Sequence, residues 1–118
     1  MEKKYILSLV LGVIVLLTSQ TVFAQDYWVY SDAYINVYCD SDTLKKDADE
    51  SYYEVTAKSI DANDGSWMGR QSWRFIKQNG SWKYWHSGMD ETVEVYTSRS
   101  DQEAMKAKSI LVWCQKNS

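Results

Sequence analysis

Proline is absent from this chain of 118 residues, and it has only one His, two Cys and two Phe. Without proline, the turns must be made by Gly, Asn, Asp and Ser. Two sulfurs and the single imidazole of His86 do not complete a four-ligand set, so we predict no metal site. A catalytic histidine needs a nucleophile or a carboxylate held beside it, and the local sequence around His86 predicts neither. We therefore expect no catalytic residue and no cofactor.

Basic residues are fewer than acidic ones. The chain has 13 Lys and Arg and 16 Asp and Glu, which gives a formal net charge of −3. Nucleic acids and anionic membrane surfaces are bound by basic protein faces. The charge balance therefore predicts no nucleic-acid partner, although it names no partner of its own.

Long apolar runs are limited to residues 6–17, which follow Lys3 and Lys4 and precede a small-residue motif ending at Ala24. A run of about 12 residues is shorter than the roughly 20 that a spanning helix needs. The arrangement is typical of a cleaved signal peptide, with an uncleaved anchor as the alternative. We expect cleavage after Ala24 and a single domain at 25–118, without a stable membrane span. That domain would be secreted, periplasmic or held at the cell envelope.

The two cysteines, Cys39 and Cys114, both lie in the expected mature domain. An oxidising compartment favours their pairing. The disulfide would close a loop of about 75 residues and stabilise the fold by roughly 4 kcal/mol in the chain-entropy model. The alternative is a pair of buried free thiols.

Alternation of apolar and polar residues predicts several short antiparallel strands. The predicted strands are 28–31, 34–39, 51–60, 70–78, 81–86 and 92–96, with a possible helical turn at 43–46. Asn79-Gly80 is the dipeptide favoured in a two-residue type I′ hairpin. That turn sets the register of its flanking strands, with Trp73 opposite His86. The other face of the hairpin would carry Arg74 stacked on Trp85.

The C-terminal segment has the pattern of an amphipathic helix. Ser100 and Glu103 form a predicted capping box. The helix would present one apolar stripe, made of Ala104, Ala107, Leu111 and Cys114. Together these elements predict an α+β fold, an antiparallel β-meander of about six strands with one C-terminal α-helix packed on one face.

This order of elements resembles small secreted bacterial envelope domains of the surface-adhesin-E-like kind. The similarity lies in Trp-Val-Tyr at 28–30, a strand ending near Cys39, a meander, and a closing helix that ends in Cys114. In that family the shared features are mainly structural, and many members have no assigned activity. The chain departs from the family in lacking a second cysteine within the meander and a proline before the last helix.

Aromatic residues are abundant, with six Trp and nine Tyr, more than a core of this size can enclose. A predicted core set takes up some of them: Trp28, Trp73, Trp82, Tyr53, Phe75 and Tyr84. The remaining rings are candidate binding residues: Tyr30, Tyr34, Tyr38, Tyr52, Trp67 and Trp85. Exposed rings of this kind stack on ligands or anchor partners. The alternative is that they cover one another across the strands.

We therefore expect a non-enzymatic, secreted or envelope-associated binding domain whose partner is an envelope or extracellular protein or a glycan. A carbohydrate-binding domain would use Trp67 and Trp85 as stacking platforms flanked by Asp, Asn or Gln. A protein-binding face would instead show one contiguous apolar patch. A third alternative, a small hydrolase, would require a cleft that holds His86 with an acid within hydrogen-bond reach.

Overall fold

A computed structural model describes residues 25–118, so the predicted signal peptide at 1–24 lies outside the described residues. The elements follow in chain order as β1 (Asp26–Ser31), β2 (Ile35–Lys46), β3 (Tyr52–Asp61), β4 (Trp67–Gln78), β5 (Ser81–His86), β6 (Val93–Glu94) and α1 (Gln102–Asn117). Each strand pairs antiparallel with the next one along the chain, which gives a six-stranded sheet in the order β1 to β6. The predicted meander of about six strands and the C-terminal helix are confirmed.

The hairpin of β4 and β5 has the predicted turn and register. Asn79 and Gly80 have φ of 52° and 81°, the positive values that a type I′ turn requires at both central positions. Trp73 pairs with His86, and Arg74 pairs with Trp85. Local turn chemistry therefore determines which side chains of this hairpin share a face.

An extra residue in β1 turns two neighbouring aromatic side chains to opposite faces of the sheet. Trp28 pairs with Tyr38, whereas Tyr30 pairs with Val37, so Val29 forms a β-bulge. The prediction that Trp28 fills the core is wrong, because its side chain is 61% exposed. Tyr30 instead packs against the core.

Strand β2 is longer than predicted, and the segment at 43–46 is extended rather than a helical turn. The β2–β3 register shifts between Asp40 and Lys45, where Thr43 fills the gap in the ladder. Its hydroxyl donates to the Asp40 carbonyl at 2.7 Å and accepts the Thr56 N–H at 2.8 Å. These two side-chain hydrogen bonds hold the irregular segment in the sheet.

Alternate residues of the central strands form one buried surface, which we call the core face. Its members are Ile35, Val37, Cys39, Tyr53, Val55, Ala57, Trp73, Phe75 and Tyr84. Trp73 stacks on Phe75 and Tyr84 with ring centroids 6.1 and 5.5 Å apart. Trp82 is only half-buried and stacks on Tyr53 at 5.6 Å. The predicted aromatic core is therefore correct except for Trp28 and, in part, Trp82.

Helix α1 begins one residue later than the predicted capping box implies. The N-cap is Asp101, not Ser100, and its carboxylate accepts the Ala104 N–H at 2.9 Å. The predicted stripe is buried, together with Ile110 and Trp113. The buried helix residues from Ala107 onward belong to the same hydrophobic cluster as the core face, and α1 contacts β1, β2 and β3.

The predicted disulfide is absent from the structure, where Cys39 and Cys114 are buried free thiols. The strand and helix periodicities correctly direct both side chains into the core. A disulfide additionally requires Cβ atoms about 3.5–4.5 Å apart and a specific torsion, which periodicity does not determine. Burial, and to a lesser extent the neighbouring Cys114, raises the pKa of Cys39, and burial raises that of Cys114 to about 12.

Candidate functional site

The side of the sheet opposite the core face, which we call the second face, carries a row of large polar and aromatic side chains. Trp28 pairs with Tyr38, Tyr38 with Lys58, and Lys58 with Arg70, so these four residues cross the sheet from β1 to β4. Paired residues of antiparallel strands project to the same side of a sheet. Since neighbouring strands lie about 4.8 Å apart, the row spans roughly 14 Å.

Trp67 closes the far end of this row. It pairs with Ile60 across a bulge, which places it on the second face beside Arg70. The Arg70 guanidinium lies 5.6 Å from the centre of the Trp67 ring, and the Trp67 side chain is 55% exposed. We call the set of Trp28, Tyr38, Lys58, Arg70 and Trp67 the tryptophan platform.

The indole of Trp28 is held in place despite its exposure. Its Nε1–H donates to the Ser31 hydroxyl at 2.6 Å, and that hydroxyl donates to the side-chain oxygen of Asn36. Ser31 and Asn36 are themselves paired between β1 and β2. A fixed exposed ring loses less conformational freedom when a ligand stacks on it than a mobile one does.

The centre of the tryptophan platform is polar, and its charges are balanced locally. The Lys58 ammonium lies 2.8 Å from a carboxylate oxygen of Asp26 and 3.8 Å from one of Asp40. Asn36 lies next to Tyr38 on the same face. The surface between the two exposed indoles therefore consists of hydrogen-bonding groups together with one apolar side chain, Ile60, which pairs with both Asn36 and Trp67.

Trp85, a predicted stacking residue, is already engaged within the protein. Arg74 lies over its ring at 4.9 Å, which confirms the predicted stacking of these two residues. The indole Nε1–H donates to the Met89 carbonyl at 2.9 Å, and the side chain is half-buried. Trp85 is therefore less exposed than Trp28, a residue that the sequence analysis places in the core.

The four candidate tyrosines occupy different places. Tyr38 belongs to the tryptophan platform, and Tyr34 is exposed in the turn between β1 and β2. Tyr52 lies on the second face at the start of β3, away from the tryptophan platform. The Tyr52 hydroxyl donates to Glu54 at 2.9 Å. Tyr30 donates to Asp32 at 2.8 Å, and burial together with this carboxylate raises its pKa to about 12. The structure therefore brings together only Tyr38 and Trp67 of the six predicted binding residues.

His86 lies in a hydrogen-bond network that the sequence argument did not predict. Its Nε2–H donates to Glu103 at 3.0 Å, and the other oxygen of Glu103 accepts the Tyr84 hydroxyl at 2.8 Å. Nδ1 lies 3.0 Å from the Ser87 carbonyl and 3.3 Å from the Gln71 side-chain nitrogen. The acid required by the hydrolase alternative is thus within reach, but the ring contacts include no hydroxyl that could serve as a nucleophile.

The charge state of this network follows from its hydrogen bonds. Burial acts to raise the pKa of Glu103, but the hydrogen bonds from His86 and Tyr84 outweigh it and lower that pKa. Burial and the hydrogen bond to Glu103 raise the pKa of Tyr84 to about 12. An ionised Glu103 between two donors joins β5 to α1, which is a structural role.

Comparison of the chain with protein-family models, with curated proteins and with solved structures finds no match. Among residues 25–118, no helix has the length and apolar character to cross a membrane. The same part of the chain contains no group of three or more His, Cys, Asp or Glu side chains arranged to hold a metal ion.

Proposed function

We propose that the chain is a secreted, non-enzymatic binding domain in which α1 covers the core face and the second face binds the ligand. The hydrophobic cluster shared by α1 and the core face supports the first part. The two exposed and oriented indoles, Trp28 and Trp67, support the second. Large exposed aromatic rings are typical of interaction sites.

A glycan is the ligand that suits the tryptophan platform best. Sugar rings have apolar faces that stack on indoles and hydroxyls that need donors and acceptors nearby. The observation that favours this assignment is the set of polar side chains, Asn36, Tyr38 and Lys58, that lies between the two indoles beside the single apolar Ile60. A protein-binding face would more often have a contiguous apolar centre. Trp28 takes the place of Trp85 in this revised assignment.

Calorimetric titration of the secreted chain with soluble envelope oligosaccharides tests the proposal. Trp28→Ala and Trp67→Ala should each weaken binding at least tenfold, a loss of about 1.4 kcal/mol. Tyr96→Ala is the matched control, because Tyr96 is 54% exposed but lies outside the tryptophan platform. It should leave the affinity unchanged.

Two results would count against the glycan assignment. Equal losses in all three variants would show that the tryptophan platform is not the site. Binding of an envelope protein, but of no oligosaccharide, with the same dependence on Trp28 and Trp67 would keep the surface and change the ligand class.

We propose that residues 1–24 direct export and are removed, which places the domain outside the cytoplasm. Support comes from the charge and apolar pattern of that segment. The likeness to surface-adhesin-E-like envelope domains is part of the same proposal, and it rests on the order of elements. Mass measurement of the exported chain should find Gln25 as the first residue, whereas a chain beginning at Met1 would show an uncleaved segment.

A further inference from the structure

A cavity of about 270 Å³ lies between α1 and the sheet. It opens between the first two turns of α1 and the ends of β2, β3 and β4. Its lining includes Ile35, Met68, Arg70, Gln71, Gln102 and Lys106. This volume is near the lower end of the range for small-molecule sites, roughly 300–1,000 Å³, so an occupant must be small.

Lys106 is the only charged side chain from α1 that lines this cavity. Its ammonium is half-buried and lies 6.0 Å from the centre of the Trp73 ring. Within residues 25–118 it forms no ion pair, and Glu103 and Asp32 act on it only through longer-range attraction. Burial lowers the pKa of Lys106, which shows that the present surroundings do not fully compensate its charge.

The two nearest carboxylates are occupied by other donors. Both oxygens of Glu103 accept hydrogen bonds, from His86 and from Tyr84. Asp32 accepts hydrogen bonds from the hydroxyl of Tyr30, the side chain of Gln102 and two backbone N–H groups. Neither acid can move to Lys106 without leaving buried or half-buried donors unsatisfied.

The start of α1 also borders the cavity, because Gln102, its first residue, is part of the lining. The N-terminal end of a helix carries a partial positive charge. An anion in the cavity would interact favourably with both the ammonium and the helix end. The site therefore has the electrostatic character of an anion subsite.

The lining also limits the charge and the shape of the occupant. One ammonium matches one negative charge, and the nearby Glu103 and Asp32 disfavour a dianion. Arg70 also lines the cavity, and its guanidinium lies 5.6 Å from the centre of the Trp67 ring. Ile35 and Met68 provide apolar contact, and Gln71 and Gln102 provide polar groups.

We propose that this cavity binds a small monocarboxylate, with the carboxylate paired to Lys106 and the carbon chain against Ile35 and Met68. Arg70 is the one lining residue that also belongs to the tryptophan platform, and the proposal does not depend on the glycan assignment. With this cavity, the domain would bind a second ligand besides the one on the tryptophan platform.

The test is an NMR titration of the ¹⁵N-labelled chain with sodium butyrate at constant ionic strength maintained with sodium chloride. Saturable shifts should appear at the amides of Gly69 and Gln71, which line the cavity. Lys106→Met should weaken binding at least tenfold. Lys116→Met is the matched control, because Lys116 is an exposed lysine on the same helix, and it should bind butyrate normally.

A second variant and a second anion make the outcome decisive if Lys106→Met is poorly folded. Gln71→Glu places a carboxylate in the cavity beside Lys106 and should also abolish butyrate binding. Inorganic phosphate should bind more weakly than butyrate. Shifts that do not saturate, that persist in both variants, or that are stronger with phosphate would overturn the proposal.

The two sites are distinguished by a cross-test. Trp28→Ala should bind butyrate as the unmodified chain does, because Trp28 lies on the opposite side of the sheet. Loss of butyrate binding in Trp28→Ala would show that the cavity does not bind independently of the tryptophan platform. That result would overturn the proposal.

Discussion

At the scale of single residues, the partner of each aromatic ring decides whether that ring is available to a ligand. Arg74 lies over the ring of Trp85, and the Trp85 N–H donates to the Met89 carbonyl. Trp28 donates its N–H to Ser31, and its side chain is 61% exposed. Both indoles donate their N–H groups, so the cation over the Trp85 ring is what distinguishes the two residues.

The two cysteines give a prediction at this scale. Cys39 and Cys114 are buried thiols whose raised pKa leaves little reactive thiolate at neutral pH. Iodoacetamide should therefore leave the folded chain unmodified and should add two groups once guanidinium unfolds it without reductant. Protection that persists in guanidinium and disappears only with reductant would show a disulfide.

Glu103 gives a second prediction, on pH. Its pKa is lowered in the folded state by His86 and Tyr84, so the unfolded chain binds the proton more readily. The resulting stabilisation is present above the unfolded value of about 4.3 and is lost as the pH falls below it toward the folded value. Thermal unfolding from pH 2 to 7 should show that Glu103→Gln lowers Tm near neutral pH and has little effect at the acid end.

The matched control for this titration is Glu91→Gln, which changes an exposed loop carboxylate. It should follow the unmodified chain across the whole range. A difference between Glu103→Gln and the unmodified chain that is constant with pH would assign the effect to packing rather than to ionisation.

At the scale of elements, α1 is predicted to contribute most through its buried side. Leu111 is fully buried and Val112 is 37% exposed, although the two are neighbours in sequence. Leu111→Ala should lower the free energy of unfolding by about 2–5 kcal/mol. Val112→Ala should change it by less than about 0.5 kcal/mol, because it alters an exposed position.

Urea unfolding followed by circular dichroism measures both values. Similar small effects of the two substitutions would contradict the proposal that α1 covers the core face. Similar large effects would show that Val112 is buried against something other than the core face.

The success of the sequence analysis also differs between elements. The turn and register of the β4–β5 hairpin are predicted correctly, because Asn79-Gly80 sets the register through local geometry, whereas β4 begins at Trp67, three residues before the predicted start. The bulge at Val29 was missed, since nothing in the alternation of β1 marks an extra residue. The Asp101 cap was missed in favour of Ser100, because both residue types are good N-caps and only the backbone geometry distinguishes them.

The candidate sites were predicted only in part, for a related reason. Tyr38 and Trp67 are predicted as binding residues because they are aromatic. Their placement on one surface follows from the pairing of β2, β3 and β4, which lies beyond the reach of a local pattern. The contacts of Glu103 with His86 and of Lys106 with the cavity depend on where α1 settles. Those contacts join residues distant in sequence, so no local pattern predicts them.

At the scale of the whole molecule, one hydrophobic cluster joins residues from the first strands to the last helix. The sheet and the helix should therefore unfold together as one unit. In a Trp113→Phe chain the remaining tryptophans all lie in the sheet, so their fluorescence reports on the sheet, whereas circular dichroism at 222 nm reports on α1. The two signals should give the same urea midpoint. Separate midpoints would show that α1 is released before the sheet unfolds.

The order of strands in the sheet has a consequence for how the chain folds. Because every strand pairs with its neighbour in sequence, the sheet can form through short loop closures, which are fast. The hydrogen bond from Gln102 to Asp32 joins residues 70 positions apart, so docking of α1 requires the longest closure. The core is thus completed only when α1 docks, so a chain exported in the proposed way would finish folding only after residues 102–117 have crossed the membrane.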